Sequence, residues 1–132
     1  MKLNHWISLA ALGVGLAVGL GAFAAHGLKM VLSDYQLAIF KTGVNYQMWH
    51  SLALLGLCAL SSRISTRLFS WVAWAWLVGM IGFSGSLYLL ALTEMHWLGP
   101  VTPVGGVSFL FGWGGLAVGA WRTNVSLSHP SR

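Results

Sequence analysis

The stretch that decides the fold is WISLAALGVGLAVGLGAFAA, residues 6–25, which contains no charged side chain. A helix needs about 20 mostly apolar residues to cross the hydrocarbon core of a bilayer, which is about 30 Å thick. Three further stretches have the same character: residues 43–60, 68–92 and 104–121. The sequence therefore predicts an all-α membrane protein, a single domain that folds as a four-transmembrane-helix bundle.

The composition also indicates that the solvent is lipid. Of the 132 residues, 57% are hydrophobic and 7% are charged, against about 45–50% and about 25% in soluble domains. So few charged side chains cannot cover a surface that faces water. The formal net charge of +5 comes from only seven Lys and Arg. Because these residues form no basic stripe, we expect the lipid bilayer, and no nucleic acid, as a partner.

The first apolar stretch also has features of a cleaved signal peptide. Lys2 precedes the stretch, and Ala22, Phe23 and Ala24 match the small-x-small pattern of a cleavage site. The apolar region of a signal peptide has about 7–15 residues, however, which is shorter than this one. We therefore favour a retained membrane helix.

A helix start is recognisable before the second span. Ser33 and Gln36 have the spacing of a capping box. We therefore expect a short amphipathic helix that begins at Asp34 and runs toward the membrane, before helix two.

The basic residues predict the orientation of the helices. With four spans, both termini and the middle turn lie on one side of the membrane. That side carries Lys2, Arg63, Arg67, Arg122 and Arg132, whereas the other side carries Lys29 and Lys41 together with both acids. The positive-inside rule then predicts a multi-pass protein of the cell inner membrane with both termini in the cytoplasm.

Small residues provide faces for helix packing. Gly15 and Gly19 in helix one, and Gly115 and Gly119 in helix four, have G-x-x-x-G spacing. In lipid, such residues let helix backbones approach closely, and this packing drives association. The faces serve either the interior of the bundle or contacts between copies. A bundle of four helices has more small-residue surface than it needs, so we expect a homo-oligomer or a membrane-protein partner.

The segment TGVNYQMWH, residues 42–50, places polar side chains in the outer part of helix two. Such side chains are costly at membrane depth unless they face a partner or a cavity. With a rise of about 1.5 Å per residue, His50 is level with residues 84–86 of helix three, and Gln47 is level with Tyr88. We therefore expect one polar cluster between helices two and three, formed by His50, Gln47, Tyr46, Tyr88, Ser84 and Ser86.

Two roles are compatible with this cluster. In the first, His50 is neutral, and its hydrogen bond to a serine hydroxyl or a backbone carbonyl ties helix two to helix three. In the second, the cluster binds a lipophilic ligand such as a quinone or a lipid, or carries a proton, with His50 as the titratable group. His26 and Asp34 are further candidate residues in the outer loop between helices one and two.

The sequence contains no recognisable set of residues for catalysis or for metal binding. The two acids lie in different loops, and no Ser, His and Asp converge at one depth. His26 and His96 belong to loops near the surface, whereas His50 is about two turns deeper, so the three cannot share one ion. We therefore expect no enzymatic activity, no metal and no cofactor, and a role as a scaffold or an accessory component.

Four stretches that touch all four predicted helices carry a family pattern. They are GAFAAHGL at 21–28, TGVNYQMWHSLALL at 42–55, FSGSLYLLAL at 83–92 and LGPVTPVGG at 98–106. In these stretches the chain resembles the small membrane proteins of the domain of unknown function 423 family, to which the eukaryotic transmembrane protein 256 is similar. The resemblance implies a four-helix inner-membrane protein with no assigned activity.

The chain departs from this family pattern at three positions. Ala24, Trp49 and Glu94 stand where the pattern has glycine, tyrosine and glycine. None of the three is a candidate polar residue of the cluster.

Overall fold

A computed structural model describes residues 1–127, and all regular structure in this range is helical. Five α-helices follow one another along the chain: α1 (Leu3–His26), α2 (Asp34–Ala59), α3 (Thr66–Gly79), α4 (Ser86–Thr93) and α5 (Val101–Leu127). Short 3-10 turns precede α2 and α5, at Leu28–Met30 and His96–Leu98. Arg132, which entered the prediction of orientation, lies outside the described residues.

α2 begins where the sequence predicts a helix start, and the capping box is present. The Ser33 hydroxyl accepts a hydrogen bond from the Gln36 backbone N–H at 3.2 Å, and the Gln36 side chain accepts one from the Ser33 N–H at 3.0 Å. From Asp34 the helix continues without a break to Ala59. The expected short helix is therefore the first part of α2 and not a separate element, since residues 34–42 contain no glycine or proline that would interrupt it.

α3 and α4 are two parts of one helical rod. The segment Met80–Gly85 between them forms a π-helical turn, which we did not predict within helix three. In this turn Gly82 lies so close to α5 that a Cβ atom on it would be 3.2 Å from the Gly105 Cα. The wider turn therefore lies where the two backbones meet.

Within residues 1–127, three helical segments are long and apolar enough to cross a membrane: Leu3–Met30, Thr66–Thr93 and His96–Arg122. They contain the predicted helices one, three and four. α2 is not among them, although its 26 residues are sufficient in length. Polar side chains such as Lys41 and Asn45 lower its hydropathy.

The helices pack as two antiparallel pairs joined through α2. In the first pair, α1 lies along α2 with Gly13 against Ser51. In the second pair, the α3–α4 rod lies along α5. α2 contacts the rod as well, and the Gln36 side-chain amide donates to the Ala91 carbonyl of α4 at 3.1 Å.

The apolar interior has two parts. One is built around Trp6, Leu54 and Trp76, which are almost completely buried. The other contains Phe40 and Ala24. In both parts α2 is the shared helix, so the polar face of α2 runs between two well-packed regions.

The glycines of α5 bring it close to α3. A Cβ atom at Gly119 would strike the Leu68 side chain, and one at Gly115 would lie 3.0 Å from the Trp71 indole nitrogen. These two glycines therefore lie at a contact within the bundle.

The glycines of α1 divide into two groups. Gly13 faces α2, as described above. Gly15 and Gly19 are exposed, and a Cβ atom at either would find no atom within 4 Å. One face of α1 is therefore without a partner among the described residues.

Replacing Gly105 by Ala is expected to lower the free energy of unfolding by about 1–3 kcal/mol, the usual cost of overpacking. The new Cβ would overlap the backbone of Gly82 and Phe83. Gly114→Ala is the matched control, because Gly114 lies on the same helix with no atom within 4 Å of its Cβ position. The midpoint of thermal unfolding in mild detergent measures both effects. Equal midpoints for the two variants would contradict the close backbone contact.

Candidate functional site

The six predicted polar residues do not form one cluster. Five of them take part in three contacts: one between α2, α1 and α4, one between α2 and α5, and one between the rod and α5. Ser84 makes none of these hydrogen bonds. The polar face of α2 therefore ties the bundle together at separate points.

Gln47 links three helices. Its side-chain N–H donates to the Gly13 carbonyl of α1 at 2.9 Å, and its side-chain carbonyl accepts from the Tyr88 hydroxyl of α4 at 2.8 Å. The Gly13 carbonyl can only accept, so the orientation of the Gln47 amide is defined. The Tyr88 ring fits against Gly43, where a Cβ atom would lie 2.8 Å from it. The helix-rise argument thus places Gln47 and Tyr88 at the same level, as the structure does.

His50 forms its hydrogen bond between helices with α5 and not with the serines of helix three. Its Nε2 lies 3.1 Å from the indole N–H of Trp113, which can only donate. Its Nδ1 lies 2.8 Å from the Tyr46 carbonyl, which can only accept. His50 is therefore a neutral imidazole with its proton on Nδ1. The ring also stacks on Phe109, with centroids 3.5 Å apart and an interplanar angle of 14°.

Sequence reasoning misses Trp113 as the partner of His50. An indole N–H that is buried in lipid needs an acceptor. This requirement is the feature of the sequence that could have indicated Trp113 as a partner of His50. The expected hydrogen bond to a backbone carbonyl is present, but it stays within α2 and ties no helices together. The link between helices comes from Trp113 and from the stacking on Phe109.

The two serines of the rod have different surroundings. The Ser86 hydroxyl lies 2.6 Å from the Thr102 hydroxyl of α5 and donates to the Phe83 carbonyl at 2.9 Å. Ser84 is buried, and its hydroxyl has no hydrogen-bond partner among residues 1–127. Neither serine reaches His50 through a hydrogen bond in this part of the chain.

A cavity of about 360 Å³ lies beside His50. The Tyr46 ring packs against Phe83 in its wall, with centroids 4.4 Å apart, and the Tyr46 hydroxyl makes no hydrogen bond with the described residues. Pockets for small molecules have volumes of about 300–1,000 Å³. The lining is mainly apolar and aromatic, and its residues are Tyr46, His50, Phe83, Pro103, Gly106, Val107, Phe109, Leu110 and Trp113.

The loop candidates His26 and Asp34 are both exposed at helix ends, the first at the end of α1 and the second at the start of α2. Within residues 1–127, no three His, Cys, Asp or Glu side chains form a group that could hold a metal ion. Near them, Gln36 in the first turn of α2 donates from its side-chain N–H to the Glu94 carboxylate at the end of α4, at 3.2 Å.

A model of the family described as protein of unknown function, DUF423, matches residues 20–106. The chain belongs to this family. The resemblance seen in the four sequence stretches is thereby confirmed. The matched region of this DUF423 protein contains Gln47, His50 and Tyr88 and ends before Trp113.

Named relatives of the DUF423 protein are bacterial membrane proteins. A UPF0382 membrane protein of Staphylococcus saprophyticus is 44% identical over 117 residues, which cover 89% of this chain and 97% of the relative. The UPF0382 membrane protein YwdK of Bacillus subtilis is 42% identical over 109 residues, with 82% and 89% covered. A UPF0382 membrane protein of Haemophilus influenzae is 41% identical over 120 residues, with 91% and 96% covered. No solved structure matches the chain.

Glu94, where the family resemblance implies a glycine, has an unusual backbone conformation. Glu94 ends α4 in the left-handed region, with φ of 57°. Glycine adopts this conformation at no steric cost, whereas a side chain is strained there. The glycine that the resemblance implies at this position would suit this helix end, and in this chain the Glu94 carboxylate accepts a hydrogen bond from the Gln36 side chain.

A double-mutant cycle on Gln47→Leu and Tyr88→Phe is expected to give a coupling energy of about 0.6 kcal/mol, the average for hydrogen bonds between membrane helices. Gln47→Leu alone should cost more than Tyr88→Phe, because it also removes the bond to Gly13. Unfolding in mixtures of mild detergent and dodecyl sulfate measures the energies. A control cycle pairs Gln47→Leu with Tyr35→Phe, since Tyr35 is exposed. Zero coupling with Tyr88, or equal coupling in both cycles, contradicts the bridge.

Proposed function

We propose that this DUF423 protein is a non-enzymatic, four-span protein of the bacterial inner membrane that forms a homo-oligomer and acts as a scaffold or an accessory component. The observation that supports this proposal is the unpartnered face of α1 around Gly15 and Gly19. On α5, by contrast, Gly115 and Gly119 lie against the side chains of α3.

The proposal takes α2 as the fourth span. Residues 43–60 rise by about 27 Å, close to the thickness of the hydrocarbon core. Gln47 and His50 both hydrogen-bond to neighbouring helices, so their polar atoms need not face lipid. The charged residues of α2, Asp34 and Lys41, lie before this stretch.

Four spans also give the orientation in the membrane. Because consecutive spans are antiparallel, with α3 and α4 counted as one span, Lys2, Arg63 and Arg67 come to the same side, and Arg122 at the far part of α5 joins them. Lys29 lies on the other side. The positive-inside rule then places both termini in the cytoplasm.

The free face of α1 suits a second copy of the same chain. Ala11 and Ala22 continue the line of Gly15 and Gly19, and all four are exposed. Without side chains in the way, two α1 helices can approach closely enough for dispersion contacts, which drive association in lipid. In a symmetric dimer the same patch serves both copies, so one small-residue face is sufficient.

Gly15→Ile is expected to convert the oligomer to a monomer, because the branched side chain prevents close approach of the two backbones. Gly114→Ile is the matched control, since Gly114 is also exposed with no atom within 4 Å of its Cβ position. Native mass spectrometry after gentle release from the membrane gives the oligomeric state. A wild-type protein that is monomeric and crosslinks to no protein partner in its native membrane would refute the scaffold.

The cavity beside His50 favours a second candidate function, the binding of a lipophilic quinone. Several aromatic rings line the cavity and suit a planar ring system. The Tyr46 hydroxyl is the donor with no protein partner among the described residues, and quinone oxygens accept hydrogen bonds. Both ring nitrogens of His50 are engaged, so His50 would hold the wall of the cavity through Trp113.

If the cavity binds a quinone, Tyr46→Phe should weaken the binding of a short-chain quinone by about fivefold, the effect of one hydrogen bond of about 1 kcal/mol. His50→Ala should weaken binding further, because it removes a ring from the wall. Quenching of tryptophan fluorescence by the quinone in nanodiscs reports the affinity, with Tyr35→Phe as the control. Unchanged affinity in Tyr46→Phe and His50→Ala rules out a quinone at this cavity.

A further inference from the structure

A groove of about 430 Å³ runs along the outside of the protein between α3 and α5. Its walls are almost entirely apolar, and three of its large side chains, Trp71, Trp74 and Phe111, are at least half exposed. The chain is a membrane protein, so such a groove faces the acyl chains of the bilayer.

On α3, the groove leads to an arginine. Its lining residues Ser70, Trp71, Trp74 and Val78 follow helical spacing and share one face. Arg67 lies three residues before Ser70 and four before Trp71, so it heads the same face, and it is exposed.

On α5, the groove leads to a second arginine at the same end. Phe111 lines the groove. Gly115 lies four residues after Phe111, and Arg122 lies two turns beyond Gly115, so all three share one face of the helix. The antiparallel contact of Gly119 with Leu68 brings this part of α5 level with the first turn of α3. The two arginines therefore flank one end of the groove.

We propose that this groove is a binding site for one anionic phospholipid. The phosphate lies between Arg67 and Arg122, and one acyl chain follows the groove past Trp71, Trp74 and Phe111. From Arg67 to Val78 the helix rises by about 16 Å, which matches the depth of one leaflet of the hydrocarbon core. Basic side chains at a membrane surface attract anionic lipid headgroups.

Charge favours an anionic lipid over the other possible occupants. A zwitterionic lipid brings an ammonium group to an end of the groove that is already positive, where Arg63 adds a third cation in the preceding turn. A second copy of the chain has no acidic side chain that matches this positive end of the groove. The sequence has only Asp34 and Glu94, and both lie at the opposite end of the bundle.

Native mass spectrometry of the full chain, titrated with phosphatidylglycerol or phosphatidylcholine of identical acyl chains, tests the site. We expect one retained phosphatidylglycerol per chain. Each arginine should contribute about fivefold to the preference over phosphatidylcholine. The double variant Arg67→Gln/Arg122→Gln should lose the preference, and Arg67→Lys should keep most of it. Lys29→Gln/Lys41→Gln, which removes two charges elsewhere, is the matched control and should behave as wild type.

A second variant tests the groove itself. Val78→Trp fills its far part and should reduce retention of both lipids, and the bundle should tolerate it because Val78 is exposed. If the double arginine variant does not fold, Arg67→Gln alone should still lower the preference about fivefold. Equal retention of the two lipids by wild type overturns the proposal. An equal loss of the preference for phosphatidylglycerol in Lys29→Gln/Lys41→Gln also overturns it. So does a lipid-free dimer that dissociates in Val78→Trp, because the occupant of the groove would then be a second copy of the chain.

Discussion

In a bilayer, a buried polar group that finds no hydrogen-bond partner within the protein is costly, and this constraint organises the bundle around α2. Lipid gives no hydrophobic gain when helices associate, so the packing depends on close backbone contacts and on such polar links. Gln47 satisfies one acceptor on α1 and one donor on α4, and His50 satisfies a donor on α5. The least apolar helix is therefore the one that all the others contact.

The sequence predicts much of this fold because length and hydropathy alone define a membrane helix. Helices one, three and four were confirmed as candidate spans, and the pairing of Gln47 with Tyr88 follows from helix rise, since depth depends only on counting residues. The partner of His50 could not be found in this way. Depth does not tell which of several neighbouring helices a side chain faces, and that depends on how the helices are rotated and arranged.

The helix surfaces of this protein are of three kinds, which differ in what they contact. Where small residues meet large ones, as at Gly119 and Leu68, the contact is made within the chain. Where small residues meet nothing, as at Gly15 and Gly19 of α1, a helix face is left without a partner among the described residues. The aromatic groove between α3 and α5 is a third case, because it ends in positive charge and so selects its occupant by electrostatics.

The π-helical turn at Met80–Gly85 makes the rod sensitive to chain length. Each residue of a helix turns the chain by about 100°, so a deletion within this segment would rotate all of α4 against α3. The groove side of α3 and the Tyr88 side of α4 would then no longer face their present neighbours together. Deletion of one residue here would thus disturb the helix packing more than several point substitutions. The architecture depends on the number of residues in this segment as well as on their identity.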